Sequence, residues 1–102
     1  MRELSFCELL SKVNKKETLA VFFYTPLCGT CTVASRMLNV VNQMLPDAPL
    51  YRANVNRMPQ IAQEWKISSV PALLLIQNGT LTEKHYALHG VDHLYQLVKS
   101  LG

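Results

Sequence analysis

Two cysteines three positions apart, Cys28 and Cys31, are the residues of this chain whose type and spacing most plainly suit chemistry. A thiolate is the reactive form of cysteine, and a second thiol within reach can close a disulfide with it. Phe22-Phe23-Tyr24-Thr25-Pro26-Leu27 runs into the pair as an apolar, β-prone stretch that ends in a turn. A strand feeding a helix there puts Cys28 at the helix N-terminus. Unpaired backbone N–H groups and the positive end of the helix dipole favour a thiolate at that place. Cys28 is therefore the candidate nucleophile. Cys31 lies nearly one helical turn on, placed to reach back.

The competing chemistry is metal binding. A structural zinc site wants four ligands, and no second Cys-x-x-Cys exists, which leaves Cys7, His85, His89 and His93 as partners. His89 and His93 straddle Gly90 at a helix start, so their spacing is only partly helical. Redox chemistry ranks well above metal binding, and no metal or other cofactor is expected. Cys7, beside the apolar stripe of the first helix, reads as a small packing residue. The three histidines read as solvated surface groups. Trp65 reads as a core residue of its helix, and Met37 and Met44 as part of a buried helical stripe. Tyr24, Thr25 and Pro26 suit a strand end and a docking border equally well.

The elements that must position the thiols follow from periodicity. Ser5-Phe6-Cys7-Glu8 is a capping-box pattern opening a helix over about 6–15, with residues 2–4 as a short edge strand before it. Thr18 to Thr25 is apolar on both faces, as a central strand covered by helices on both sides would be. From Gly29 an apolar stripe of Val33, Ala34, Met37, Leu38, Val41, Met44 and Leu45 carries a helix to the Pro46–Pro49 turn. A strand over 50–55 and a short helix near 59–66 follow, with Asn56 as its cap and Ile61, Ala62 and Trp65 as its stripe. Next come a strand over 72–77, an Asn78-Gly79 hairpin, a strand over 80–87 and a last helix from 91. The order (β)αβαβαββα describes one α/β domain over residues 1–102, with a parallel sheet bearing an antiparallel edge.

Composition agrees with such a domain. Of 102 residues 49% are hydrophobic and 17% charged, enough to build a core and too little charge for disorder. The net charge of +3 is scattered, with only Lys15-Lys16 adjacent, so no nucleic-acid footprint is expected. No apolar run approaches the roughly 20 residues that cross a bilayer. The first residues lack a signal-peptide pattern. An odd cysteine count suits a reducing compartment. These features together predict a soluble, cytoplasmic protein with no membrane partner.

Cys28-Gly29-Thr30-Cys31 at a strand–helix junction, Val70-Pro71 before a later strand, the Asn78-Gly79 hairpin and the final helix together resemble the thioredoxin family over essentially the whole chain. The resemblance implies a thioredoxin fold with a mixed central sheet flanked by helices on both faces. It implies a cis Val70–Pro71 bond against the dithiol, and a Val70 backbone edge where an extended substrate docks. It also implies that Cys28 attacks a substrate disulfide and that Cys31 resolves the mixed disulfide.

Three departures from the family pattern accompany those matches. Leu27 and Thr30 stand where thioredoxins usually have Trp and Pro, altering the rim and the residues between the thiols. Phe22 stands where the family places a buried aspartate, and Arg52 where it places a lysine, so resolution by Cys31 is expected to be slower. Ala87 stands where a glycine usually faces the dithiol, narrowing the docking surface.

The reading is a thiol–disulfide oxidoreductase that reduces protein disulfides or mixed disulfides of a low-molecular-weight thiol. Cys28 and Cys31 are catalytic, and Leu27, Gly29, Thr30, Val70, Pro71 and Ala87 shape the site. Its partners are those substrates and a thioredoxin-reductase-like electron donor, and it works as a monomer. The alternative is a thioredoxin-fold binding or regulatory module with weak redox activity, a reading fed by Phe22 and Ala87.

Overall fold

The computed structural model describes residues 1–101. Its elements are β1 (Arg2–Glu3), α1 (Phe6–Asn14), β2 (Leu19–Tyr24), α2 (Gly29–Met44), β3 (Leu50–Asn54), a 3-10 turn (Val55–Arg57), α3 (Pro59–Glu64), β4 (Ala72–Gln77), β5 (Thr80–His85) and α4 (Val91–Lys99). They form one five-stranded mixed sheet in the order β1-β3-β2-β4-β5.

The alternation of side chains along the two central strands explains the layers. In β2, Leu19, Val21 and Phe23 point to one face, where they pack with Leu9 of α1 and Ile61 of α3. Ala20 and Phe22 point to the other, against Cys31, Ala34, Leu38 and Val41 of α2 and Leu94 and Val98 of α4. In β4, Leu74 and Ile76 join the first face and Leu73 and Leu75 the second. With both faces covered, β2 and β4 are buried except at their final residues. Each buried Leu, Val or Phe contributes about 1.5–3 kcal/mol relative to exposure.

β1 and β2 both run parallel to β3, as expected. The antiparallel part is wider than an edge hairpin, because β4 itself runs antiparallel to β2. The segment carrying α3 brings the chain back in the opposite sense, so antiparallel pairing begins inside the sheet. β5 then adds the outer hairpin strand.

Local signals held at most boundaries. Ser5 and Glu8 form the reciprocal capping box of α1. Asn78 and Gly79 both take positive φ, 54° and 78°, as a two-residue hairpin requires. The tip is pinned by the Gly79 N–H, which donates to the Glu17 carbonyl at 3.0 Å. A Cβ on Gly79 would lie 2.5 Å from the Val13 carbonyl oxygen, a backbone atom that cannot swing aside. Gly79→Ala is therefore expected to cost about 2 kcal/mol, combining strain and clash. In thermal unfolding this should lower Tm by about 10 °C. A Tm within a degree or two of wild type would refute the packing described here.

Four expectations need correction. Asn56 does not cap α3: Asn54 caps the 3-10 turn, accepting from the Asn56 N–H at 3.0 Å, and α3 starts after Met58 with Pro59 in its first turn. Val33 and Met44 are not core residues but 55% and 52% exposed. The stripe that α2 buries is the narrow set Cys31, Ala34, Leu38 and Val41. At about 100° per residue Val33 falls off it, and Met44 ends the helix. Cys7 is exposed, since α1 turns Leu9 inward instead. The histidines are not all solvated: His93 is half-buried, and its Nδ1 is shut off from solvent without a hydrogen-bond partner. Its ring lies 6.0 Å from that of His85 and 5.6 Å from that of His89, centroid to centroid.

Candidate active site

β2 ends at Tyr24, the turn Thr25–Leu27 breaks the strand, and Cys28 becomes the N-cap of α2. Its extended backbone (φ −115°, ψ 110°) aims the sulfur back over the first helical turn. The Cys31 N–H donates to Cys28 Sγ at 3.1 Å, and Thr30 Oγ1 lies 3.3 Å from the same sulfur. A helix normally spends an Asp or Ser oxygen on its free N–H groups; here a sulfur takes that place.

The two thiols differ sharply. Cys28 is half-buried, and its pKa is lowered by hydrogen bonding from the Cys31 side chain, then from the Thr30 hydroxyl. Cys31 is only 3% exposed. Burial, followed by its hydrogen bond to the Cys28 sulfur, pushes its pKa up to about 11. Hydrogen bonding toward Cys28 thus favours one sulfur as thiolate, while burial holds the other as thiol. The arrangement can present one nucleophile and keep one sulfur in reserve.

Around this pair, Leu27 is 101% exposed, a large apolar side chain standing in solvent next to Cys28. Gly29 opens α2 with nothing within 4 Å of a would-be Cβ. The Val70–Pro71 bond is cis. Val70 and Cys28 both pack against the buried cluster that contains Cys31, so the structure brings the distant Val70 to the dithiol's own core. Ala87 lies exposed in the segment between β5 and α4, and no described contact ties it to the sulfurs. Trp65 is only partly buried and packs against the edge of the core, edge-on to Phe23 at 6.4 Å between centroids.

Behind Cys31 is a cavity of about 250 Å³ walled by Phe22, Tyr24, Cys31, Thr32, Arg36 and Arg52, among others. Phe22 is fully buried and stacks on Tyr24 at 6.0 Å. Arg52 is a surface cation, with its Nε 3.0 Å from Glu3. The Tyr24 hydroxyl donates to the same carboxylate, 2.7 and 2.9 Å from its two oxygens. This Tyr24–Glu3–Arg52 group was not foreseen from the sequence. Glu3 and Tyr24 are 21 positions apart, and only the register of β1 on β3 joins them. Among the described residues, no group of three or more His, Cys, Asp or Glu is placed to share a metal ion.

A dithiol heading a helix, over a mixed sheet of this topology, defines a thiol–disulfide oxidoreductase of thioredoxin fold. A family model described as Thioredoxin matches residues 2–101, and the chain belongs to the thioredoxin family. It is similar to the thioredoxin-like protein YusE of Bacillus subtilis (strain 168), with 49% identity over 79 residues covering 78% of this chain and 74% of that protein. Thioredoxin-1 of Saccharomyces cerevisiae is 31% identical over 72 residues, covering 71% and 70%. Among solved structures, oxidised mitochondrial thioredoxin 3 of Saccharomyces cerevisiae superimposes with a TM-score of 0.82 at 24% identity, covering 99% of this chain and 95% of that one. Fasciola hepatica thioredoxin gives 0.83 at 17% identity, with both chains fully covered. These last two likenesses speak to the fold.

Proposed function

We propose that this oxidoreductase works as a reductant in which Cys28 opens substrate disulfides and Cys31 resolves the resulting mixed disulfide. The observation that carries the reading is the asymmetry of the pair: a reachable sulfur with a lowered pKa beside a buried one raised to about 11. Cys28 thiolate attacks one sulfur of a substrate disulfide and the other sulfur leaves as a thiolate. Cys31 then attacks Cys28 Sγ, closing the internal disulfide and releasing the reduced substrate.

Leu27, Gly29, Thr30, Val70, Pro71 and Ala87 form the docking surface in this reading. The exposed Leu27 gives a substrate an apolar foothold, and the Val70 backbone offers an edge for an extended segment. Substrates are protein disulfides or mixed disulfides of low-molecular-weight thiols. A thioredoxin-reductase-like donor returns the internal disulfide to the dithiol. The chain acts as one domain and as a monomer, in the cytoplasm. No helix among the described residues is long and apolar enough to cross a membrane, which fits that setting.

The test is reduction of insulin disulfides with dithiothreitol as the terminal reductant. Wild type should catalyse precipitation of the insulin chains, and Cys28→Ser should fall to the uncatalysed rate. Equal rates for the two proteins would remove the reductant reading.

A further inference from the structure

Cys31 must lose its proton before it can attack, yet it is buried, and no charged or polar side chain among the described residues is buried with it. None of the fully buried side chains can therefore accept this proton. The cavity behind Cys31 supplies a route to an acceptor. At about 250 Å³ it has room for several waters, and hydroxyl and guanidinium groups line it.

Strand register identifies where that route leads. Phe22 of β2 pairs with Arg52 of β3, and Arg52 pairs with Glu3 of β1. These three residues form one row across the sheet, and Tyr24, two residues on from Phe22, shares their face. Phe22 has no exchangeable proton on its side chain, and a guanidinium offers donors but no acceptor. Glu3 is the one acid of the row. Two cavity walls hold its carboxylate: the Tyr24 hydroxyl at 2.7 Å and Arg52 Nε at 3.0 Å.

We propose that Glu3 accepts the Cys31 proton through cavity water and the Tyr24 hydroxyl, an inference that rests on Cys31 being the resolving thiol. Water takes the proton from Cys31 and passes one to Tyr24 Oη, while the Tyr24 hydroxyl proton moves to Glu3. Cys31 sulfur attacks Cys28 Sγ as its proton departs, and the carboxylic acid so formed returns its proton to solvent after the attack. The Cys31–Cys28 bond forms as the Cys28–substrate bond breaks, and the substrate leaves as a thiolate that is protonated by solvent. Arg36 and Arg52 face the cavity, and Arg52 and Arg57 place positive charge near Tyr24. Glu3 touches no reacting atom and acts only through Tyr24 and water.

The two thiol steps separate in a stopped-flow reaction with 5,5′-dithiobis(2-nitrobenzoate), run in a Cys7→Ser background that removes the other exposed thiol. Attack by Cys28 releases one thionitrobenzoate and resolution by Cys31 releases the second. Glu3→Gln keeps the Tyr24 hydrogen bond but cannot accept a proton. It should leave the first phase unchanged and slow the second about tenfold near neutral pH. The second phase of wild type should depend little on pH, because the Cys31 proton passes to Glu3 rather than to hydroxide. In Glu3→Gln it should rise tenfold per pH unit, as expected when the thiolate must form unaided. Glu3→Asp should recover most of the rate, and Tyr24→Phe should slow the second phase alone. A second phase in Glu3→Gln with the wild-type rate and pH profile would overturn the proposal. So would a slow phase that Glu3→Asp does not rescue. Failure of the underlying assignment has a different signature, an unaltered first phase in Cys28→Ser.

Discussion

Cys31→Ser is expected to turn the protein into a trap that reacts once with a disulfide substrate and stops at the mixed disulfide. Cys28 remains able to attack, because its exposure, its place at the helix N-terminus and the Cys31 N–H at 3.1 Å all survive the substitution. The hydroxyl of Ser cannot displace sulfur from Cys28, so catalytic turnover should fall at least a thousandfold while the adduct accumulates. Its partner thiol contributes to the lowered pKa of Cys28, so the first attack should also become somewhat slower at neutral pH. Intact-mass measurement in a Cys7→Ser background, after mixing with a disulfide peptide, checks this: one peptide added, at Cys28, is the expected product. Cys28→Ser should instead give no adduct at the pair, since Cys31 is buried and stays protonated up to a pKa of about 11. A stable adduct on Cys31 would reverse the two roles.

The second large effect concerns Phe22. Phe22→Asp removes a fully buried ring that packs in the α2–α4 layer and stacks on Tyr24. Losing such a side chain costs about 3–5 kcal/mol, a large share of the about 5–15 kcal/mol by which a domain of this size is stable. The introduced carboxylate would join the row of Arg52 and Glu3 at the cavity that reaches Cys31. The variant should therefore be markedly less stable in urea but faster than wild type in the resolving step. Unchanged stability would contradict the core position of Phe22. An unchanged mixed-disulfide lifetime would show that deprotonation of Cys31 does not limit resolution.

Much of the fold could be read from local pattern, and the reasons are specific. Leu19–Tyr24 and Ala72–Gln77 are apolar on both faces because helices cover both. Asn78-Gly79 announces its own turn through the positive φ both residues adopt. The dithiol was legible because strand, turn and helix signals converge on four residues. Packing set by geometry was not legible in the same way. Met44 fits an apolar stripe on paper, yet α2 buries only a narrow face and leaves it half exposed. Cys7 sits next to Phe6, but α1 turns Leu9 inward and leaves the thiol in solvent. The direction of β4 depends on how the α3 segment turns the chain, which periodicity does not encode. Glu3 and Tyr24 meet only through the β1–β3–β2 register, so no spacing rule could have paired them.

The central claim is that one sulfur of the pair is the nucleophile because the helix N-terminus and its neighbours hold it as a thiolate. The most direct measurement is the pH dependence of iodoacetamide alkylation of the reduced protein, resolved to each cysteine by peptide mass. Cys28 should react first, with its rate rising as pH climbs to an apparent pKa below that of an ordinary thiol, near 8.5, and level above it. Cys31 should stay unmodified until strongly alkaline pH. Alkylation of Cys31 ahead of Cys28, or a Cys28 profile no different from that of an ordinary thiol, would contradict the account.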